Sequence, residues 1–141
     1  MIFRLLLLVM LLFAIGCSDL INESELESKR GLLYNPKNSK PYSGKVYKLY
    51  STGSKMREGV FDLGAIDGSY TYYDNEGSII NPIEENMLDL KDGKKYFPGT
   101  DREYWGLAYG LYQTGETSYE VFYEGGKLSS EYTYFKLDGS V

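Results

Sequence analysis

Displaced by 62 residues, the chain aligns on itself without a gap: residues 28–78 fall on residues 90–140, and 18 of the 51 positions are identical. Chance at this composition gives roughly four, so the identity marks a duplicated structural unit. Both copies keep Gly31/Gly93, Tyr34/Tyr96, Pro36/Pro98, Tyr42/Tyr104 and Gly44/Gly106. They also keep the Leu-Tyr-x-Thr-Gly strings at 49–53 and 111–115, then Glu58/Glu120, Gly64/Gly126, the Tyr-Thr-Tyr triplets at 70–72 and 132–134, and Gly77/Gly139. Positions kept in two modules of one chain are those that a shared backbone requires.

The kept glycines punctuate short runs rich in Tyr, Val, Phe and Thr. Such runs suit a pleated sheet, and glycine suits the turns between them. The pattern predicts strands over 44–50, 55–62 and 69–73, with counterparts over 106–112, 117–124 and 131–135. Turn signals recur at the spacing of an antiparallel meander. No segment after Cys17 carries a 3.6-residue apolar period. The expected fold is therefore all-β: an elongated antiparallel meander of repeated hairpins. A 51-residue module is too small to bury much surface alone, so the two modules are expected to stack into one continuous sheet. Pro36 and Pro98 are expected to lead into each module in extended form.

The amino end is of another kind. Arg4 is followed by an unbroken apolar run from Leu5 to Ile15, then Gly16-Cys17. Eleven apolar residues give about 16 Å of helix, against a hydrocarbon core of roughly 30 Å. This is the length of a signal-peptide core, not of a spanning helix. Ala14-Ile15-Gly16-Cys17 resembles a bacterial lipobox. The resemblance implies cleavage before Cys17, a diacylglycerol on its thiol and acylation of the new amine. Cys17 is the only cysteine, so it has no disulfide partner within the chain, and lipidation accounts for its presence. Ser18 follows it directly and Asp19 stands one place later, which by analogy with proteobacterial lipoproteins favours the outer membrane. The expected organisation is a signal peptide over 1–16, a flexible tether over 17–27, a first module over 28–79, a linker over 80–89 and a second module over 90–141. Ile83, Met87 and Leu88 of the linker are expected to pack down on the sheet.

The chain carries a net charge of −5, and losing Arg4 with the leader makes it one unit more negative. That disfavours nucleic acid as a partner. There is no histidine. Serine or cysteine triads that need one cannot be assembled, and zinc sites built on histidine or several cysteines are excluded. Paired carboxylates remain conceivable as catalysts, but Asp62, Asp67, Asp74, Glu76 and Asp138 stand at predicted turns, where acids have a structural role. The stretch Asp74–Gly77 is too short for a calcium loop. Neither metal nor cofactor is expected, and the chain reads as non-enzymatic. Glu58 and Glu120 are expected to pair with cross-strand neighbours such as Lys55 or Arg57.

Fifteen tyrosines and one tryptophan supply the candidate binding surface. Tyrosine offers a large apolar face with a polar tip and loses little entropy on binding. The candidates are Tyr47, Tyr50, Tyr109 and Tyr112, together with Trp105, which serves either as a plug at the module junction or as an exposed anchor.

Gly44, Tyr50 and Gly53, then Lys55, Glu58, Phe61 and Gly64, then Gly68, Tyr72, Tyr73 and Gly77, form a pattern that resembles the bacterial MORN-repeat variant. The likeness spans 29–139. In the second copy Thr114 replaces the Asn before Gly115, and Ser129-Ser130 replaces Asp67-Gly68. The resemblance implies hairpins in an elongated sheet and a binding role without catalytic residues. Many members of that family are labelled antitoxins. Three functions are thus expected: a membrane-anchored lipoprotein that binds another protein; an antitoxin or immunity protein that neutralises a toxin by direct contact; and a structural envelope protein that touches the cell wall.

Overall fold

The computed structural model describes residues 20–141. The leader and Cys17 lie outside the described residues. The first module comprises β1 (Leu20–Asn22), β2 (Glu27–Lys29), β3 (Leu32–Asn35), β4 (Lys40–Pro41), β5 (Gly44–Leu49), β6 (Lys55–Asp62), β7 (Ala65–Tyr73) and β8 (Ile79–Ile80). The second comprises β9 (Ile83–Glu84), β10 (Asp89–Lys91), β11 (Lys94–Tyr96), β12 (Gly106–Leu111), β13 (Thr117–Glu124), β14 (Lys127–Leu128) and β15 (Thr133–Tyr134). The only helical elements among the described residues are two single 3-10 turns, Glu23–Glu25 and Glu85–Met87. The protein is all-β.

The duplication extends to the backbone. Strands β5 and β6 pair antiparallel with a bulge between Lys48 and Leu49, and β12 and β13 pair antiparallel with a bulge between Gly110 and Leu111. Tyr50 N–H donates to Ser54 O at 2.8 Å, and Tyr112 N–H to Glu116 O at 2.8 Å. Gly64 has φ +84° and Gly126 φ +76°. A Cβ on Gly64 would lie 2.8 Å from Leu33 O, and one on Gly126 would lie 2.6 Å from Lys95 O. Glycine recurs there because the backbone of the strand pair crosses the turn at that point and needs a left-handed residue without a side chain.

Several expectations are corrected. The segments read as tether and linker are the two copies of one leading element. At the same 62-residue offset Ile21, Glu23 and Leu26 match Ile83, Glu85 and Leu88. In each copy a short strand runs parallel to the module's first long strand, β1 on β5 and β9 on β12, and passes into the 3-10 turn. The meander is therefore not purely antiparallel. The modules also do not merge into a continuous sheet: β1-β5-β6-β7-β8 and β14-β13-β12-β9, with β15 added to β13, are separate sheets. Of the linker residues, Leu88 is buried and Ile83 packs beside it, whereas Met87 is exposed. Pro36 lies in the turn after β3 rather than in an extended lead-in.

Strand alternation divides each long hairpin into two faces. Val46, Lys48, Arg57, Phe61 and Tyr72 share one face of the first sheet, with Ala108, Gly110, Tyr119, Tyr123 and Tyr134 in the same places on the second. Part of this face is covered by the module's own leading element: Leu88, Tyr104, Ala108, Val121 and Tyr123 form one buried cluster. The opposite face of the second sheet presents Leu107 and Phe122, which join Tyr50 and Met56 of the first module in another cluster. The modules thus stack head to tail, one face of the first on the opposite face of the second, as repeat units do.

Candidate functional site

The module junction is built around Phe122. Its ring lies 6.4 Å from that of Tyr72, and the Lys48 ammonium and the Arg57 guanidinium approach it at 5.6 and 5.3 Å. Arg57 is also stacked on Tyr70 at 4.2 Å and donates to both oxygens of Glu23, at 2.9 and 3.0 Å. This planar cation is fully engaged: forked to a carboxylate and sandwiched by rings. Glu120, close by on the second module, is half-buried, and burial raises its pKa while the Arg57 charge opposes the shift.

Tyr50 belongs to this junction and not to a binding surface. It is 2% exposed, its hydroxyl donates to Tyr73 O at 2.7 Å, and its ring meets Trp105 edge-on at 5.2 Å. Burial pushes the Tyr50 hydroxyl's pKa well above the ordinary tyrosine range. Trp105 therefore resolves as the junction plug. Next to it, Glu124 accepts from Ser51 N–H at 2.9 Å and from the Ser51 hydroxyl, and Arg102 reaches the buried Asp74 at 3.1 Å. Asp74 keeps the turn role expected of it, accepting from the N–H groups of Glu76 and Ser78.

The other candidates do not converge. Tyr47 and Tyr109 are half-buried, opposite Glu58 and Glu120 across their strand pairs. Tyr112 is exposed, with its hydroxyl donating to Phe135 O at 2.7 Å. Glu58 pairs with Lys55 at 2.7 Å and accepts from Tyr73 at 2.5 Å. These hydrogen bonds, Lys55 first, hold its pKa below the usual carboxylate range.

The aromatic surface that does converge lies at the far end of the second module. Tyr119, Tyr132 and Tyr134 form a continuous ring cluster: Tyr119 meets Tyr132 edge-on at 5.3 Å and Tyr134 at 6.2 Å, and Tyr132 stacks on Tyr134 at 6.0 Å. Behind it, Glu85 accepts from Tyr119 at 2.7 Å, from Tyr132 at 3.0 Å and from Tyr123. Burial works to raise the pKa of Glu85, but the three hydroxyls outweigh it and keep the carboxylate ionised to below its ordinary range. The hydrogen bond to Glu85, aided by burial, pushes the Tyr119 hydroxyl up to about 12. Tyr134 is 65% exposed. The signal for this cluster was the exchange within the repeat: the place held by Arg57 in the first copy is held by Tyr119 in the second.

Among the described residues no group of three or more histidine, cysteine or acidic side chains is arranged to hold a metal ion, and no helix is long and apolar enough to cross a membrane. Comparison of the chain with protein-family models, curated proteins and solved structures returns no match.

Proposed function

We propose that this chain is a non-catalytic lipoprotein of the bacterial envelope, held to the membrane, by preference the outer one, through acylated Cys17, and that its two MORN-like modules bind another protein. The observation that carries the binding role is the row of tyrosine rings at the end of the stack. It occupies the places that, in the first module, are given over to contact with the neighbouring module. Packed aromatic side chains, with the Tyr119 and Tyr132 hydroxyls anchored on Glu85, suit recognition because little freedom is lost on contact. The lipid anchor is supported by the lipobox-like residues and the single cysteine.

Two experiments test the two halves. Wild-type chain is expected in the membrane fraction, and Cys17→Ala in the soluble or precursor fraction; unchanged partitioning removes the anchor. A pull-down with the full chain in detergent is expected to recover a partner that a Tyr134→Asp variant does not recover. The antitoxin reading rests on the family resemblance alone; rescue of growth on co-expression with a toxic neighbour would support it.

A further inference from the structure

Because the chain contains the same module twice, the internal junction shows what covers the face that the second module leaves open. Each first-module residue at the junction has a counterpart 62 places on. Tyr72, Arg57 and Lys48, which surround Phe122, correspond to Tyr134, Tyr119 and Gly110. Tyr50, which meets Trp105, corresponds to the exposed Tyr112. Ser51, whose N–H binds the Glu124 carboxylate, corresponds to Gln113. Asp74, which binds Arg102, corresponds to Lys136, so the charge at this place is reversed.

We propose that the open end, formed by Tyr112, Gln113, Tyr119, Tyr134 and Lys136, is the docking site for a sheet of another protein. That sheet would present two aromatic side chains, in the places of Phe122 and Trp105, and two carboxylates, in the places of Glu124 and Arg102. This deepens the protein-binding reading and rests on it. The aromatic over Tyr134 and Tyr119 repeats the ring contact at the internal junction. One carboxylate takes the backbone N–H of Gln113, and the other takes the Lys136 ammonium.

A second copy of this chain does not meet that description. On the face that would be offered, Val60 stands for Phe122, Ser43 for Trp105, Lys45 for Leu107 and Lys40 for Arg102. Both aromatics are missing, and Lys40 would face Lys136. Only the acid at Asp62, for Glu124, is kept. The offered face of the first module is thus polar where the internal junction is aromatic, whereas the far face of the second module exposes Tyr112 and Tyr134.

The test makes the missing donor from the chain itself. A full-length donor carrying Lys40→Glu, Ser43→Trp, Lys45→Leu and Val60→Phe, with its own open end blocked by Tyr134→Asp, is mixed with full-length wild type in detergent and followed by sedimentation velocity. A 1:1 complex is expected, weakened at least tenfold by Tyr134→Asp or Lys136→Glu on the wild-type partner. A simpler donor, Lys40→Glu/Lys45→Leu/Val60→Phe/Tyr134→Asp, keeps the Ser43 hydroxyl that binds Asp62 and Leu63 N–H, and serves if the fuller one does not fold. Circular dichroism and the melting temperature establish folding for each. A folded donor that leaves wild type monomeric overturns the docking site, whereas loss of membrane partitioning or of the pulled-down partner bears on the broader reading. Self-association of wild type through Tyr134 overturns the partner's chemistry in favour of a second copy.

Discussion

Arg57 and Tyr119 stand at the same place in the two modules, and each reaches back to the acid of its own 3-10 turn: Arg57 to Glu23 at 2.9 Å, Tyr119 to Glu85 at 2.7 Å. The turn acid must be satisfied in both copies because it lies over the sheet, yet the two solutions differ. A guanidinium neutralises Glu23 and fills the space under Phe122. Three hydroxyls solvate the Glu85 carboxylate without neutralising it, and leave the sheet end aromatic.

Removing Arg57 leaves Glu23 without its cation and strips the junction of a stacked plane. Both side chains are mostly shielded, at 13% and 22% exposure. Arg57→Ala is expected to cost about 3 kcal/mol, within the range for breaking a shielded pair on one side. Arg57→Tyr installs the second module's residue at this place, though Phe61 stands where Tyr123 adds a further hydroxyl, and is expected to lose less. Urea unfolding of the two variants and wild type measures the difference, and equal losses would refute the equivalence.

Acid stability should show two carboxylates acting in opposite directions. The folded-state pKa of Glu85 lies below the ordinary value of 4.5, so its contribution is complete above that value and is lost as pH falls through the lower folded one. Glu120 has a raised folded-state pKa, so its ionisation removes stability as pH rises from 4.5 through the folded value. Glu85→Gln is expected to flatten the acid limb of the stability curve, and Glu120→Gln to raise the urea midpoint at neutral pH. The midpoint measured from pH 3 to 7 tests both signs.

The sequence made the long strands legible because their signal is local. The expectation over 55–62 and 117–124 coincides with β6 and β13, and the turns fall at the kept glycines. The leading elements were not legible. Ile21, Glu23 and Leu26 are spread over a short acidic stretch, and what fixes them, Val46 and Arg57, is far away in sequence. Nor did pattern alone separate Tyr50 from Tyr112. The two residues share the string Leu-Tyr-x-Thr-Gly, and only the module stacked on the first makes one a core residue. At the open end, the strand that carries Tyr119 was readable from its local pattern. Its convergence with Tyr132 on Glu85 was not, since that needs the third strand and the 3-10 turn together.

Alanine at Gly64 or Gly126 meets two costs at once, a left-handed φ and a backbone oxygen within 2.8 Å or 2.6 Å of the new Cβ. Each substitution is expected to destabilise by about 2 kcal/mol, since strain of 1–3 kcal/mol accompanies such conformations. Gly53→Ala has a similar φ, +89°, but open space around the Cβ. It should cost only about 1 kcal/mol. Thermal melts of the three variants separate the steric part from the conformational part.

Tyr50 and Tyr112 make the same hydrogen bond, each hydroxyl donating to a carbonyl 23 residues on at 2.7 Å. Their surroundings differ, and so should their energetics. The Tyr50 bond is closed in by Trp105 and the second module, so Tyr50→Phe leaves Tyr73 O short of a partner where water enters poorly; about 1 kcal/mol is expected. Tyr50→Ala also empties the junction and is expected to cost about 3–5 kcal/mol, the range for deleting a buried ring. At Tyr112 solvent can replace the hydroxyl, so Tyr112→Phe should fall within about 0.5 kcal/mol of wild type. Urea denaturation of the matched pair tests this directly. Equal losses at the two positions would mean that the second module does not shelter the first, and the head-to-tail stack would fail with it.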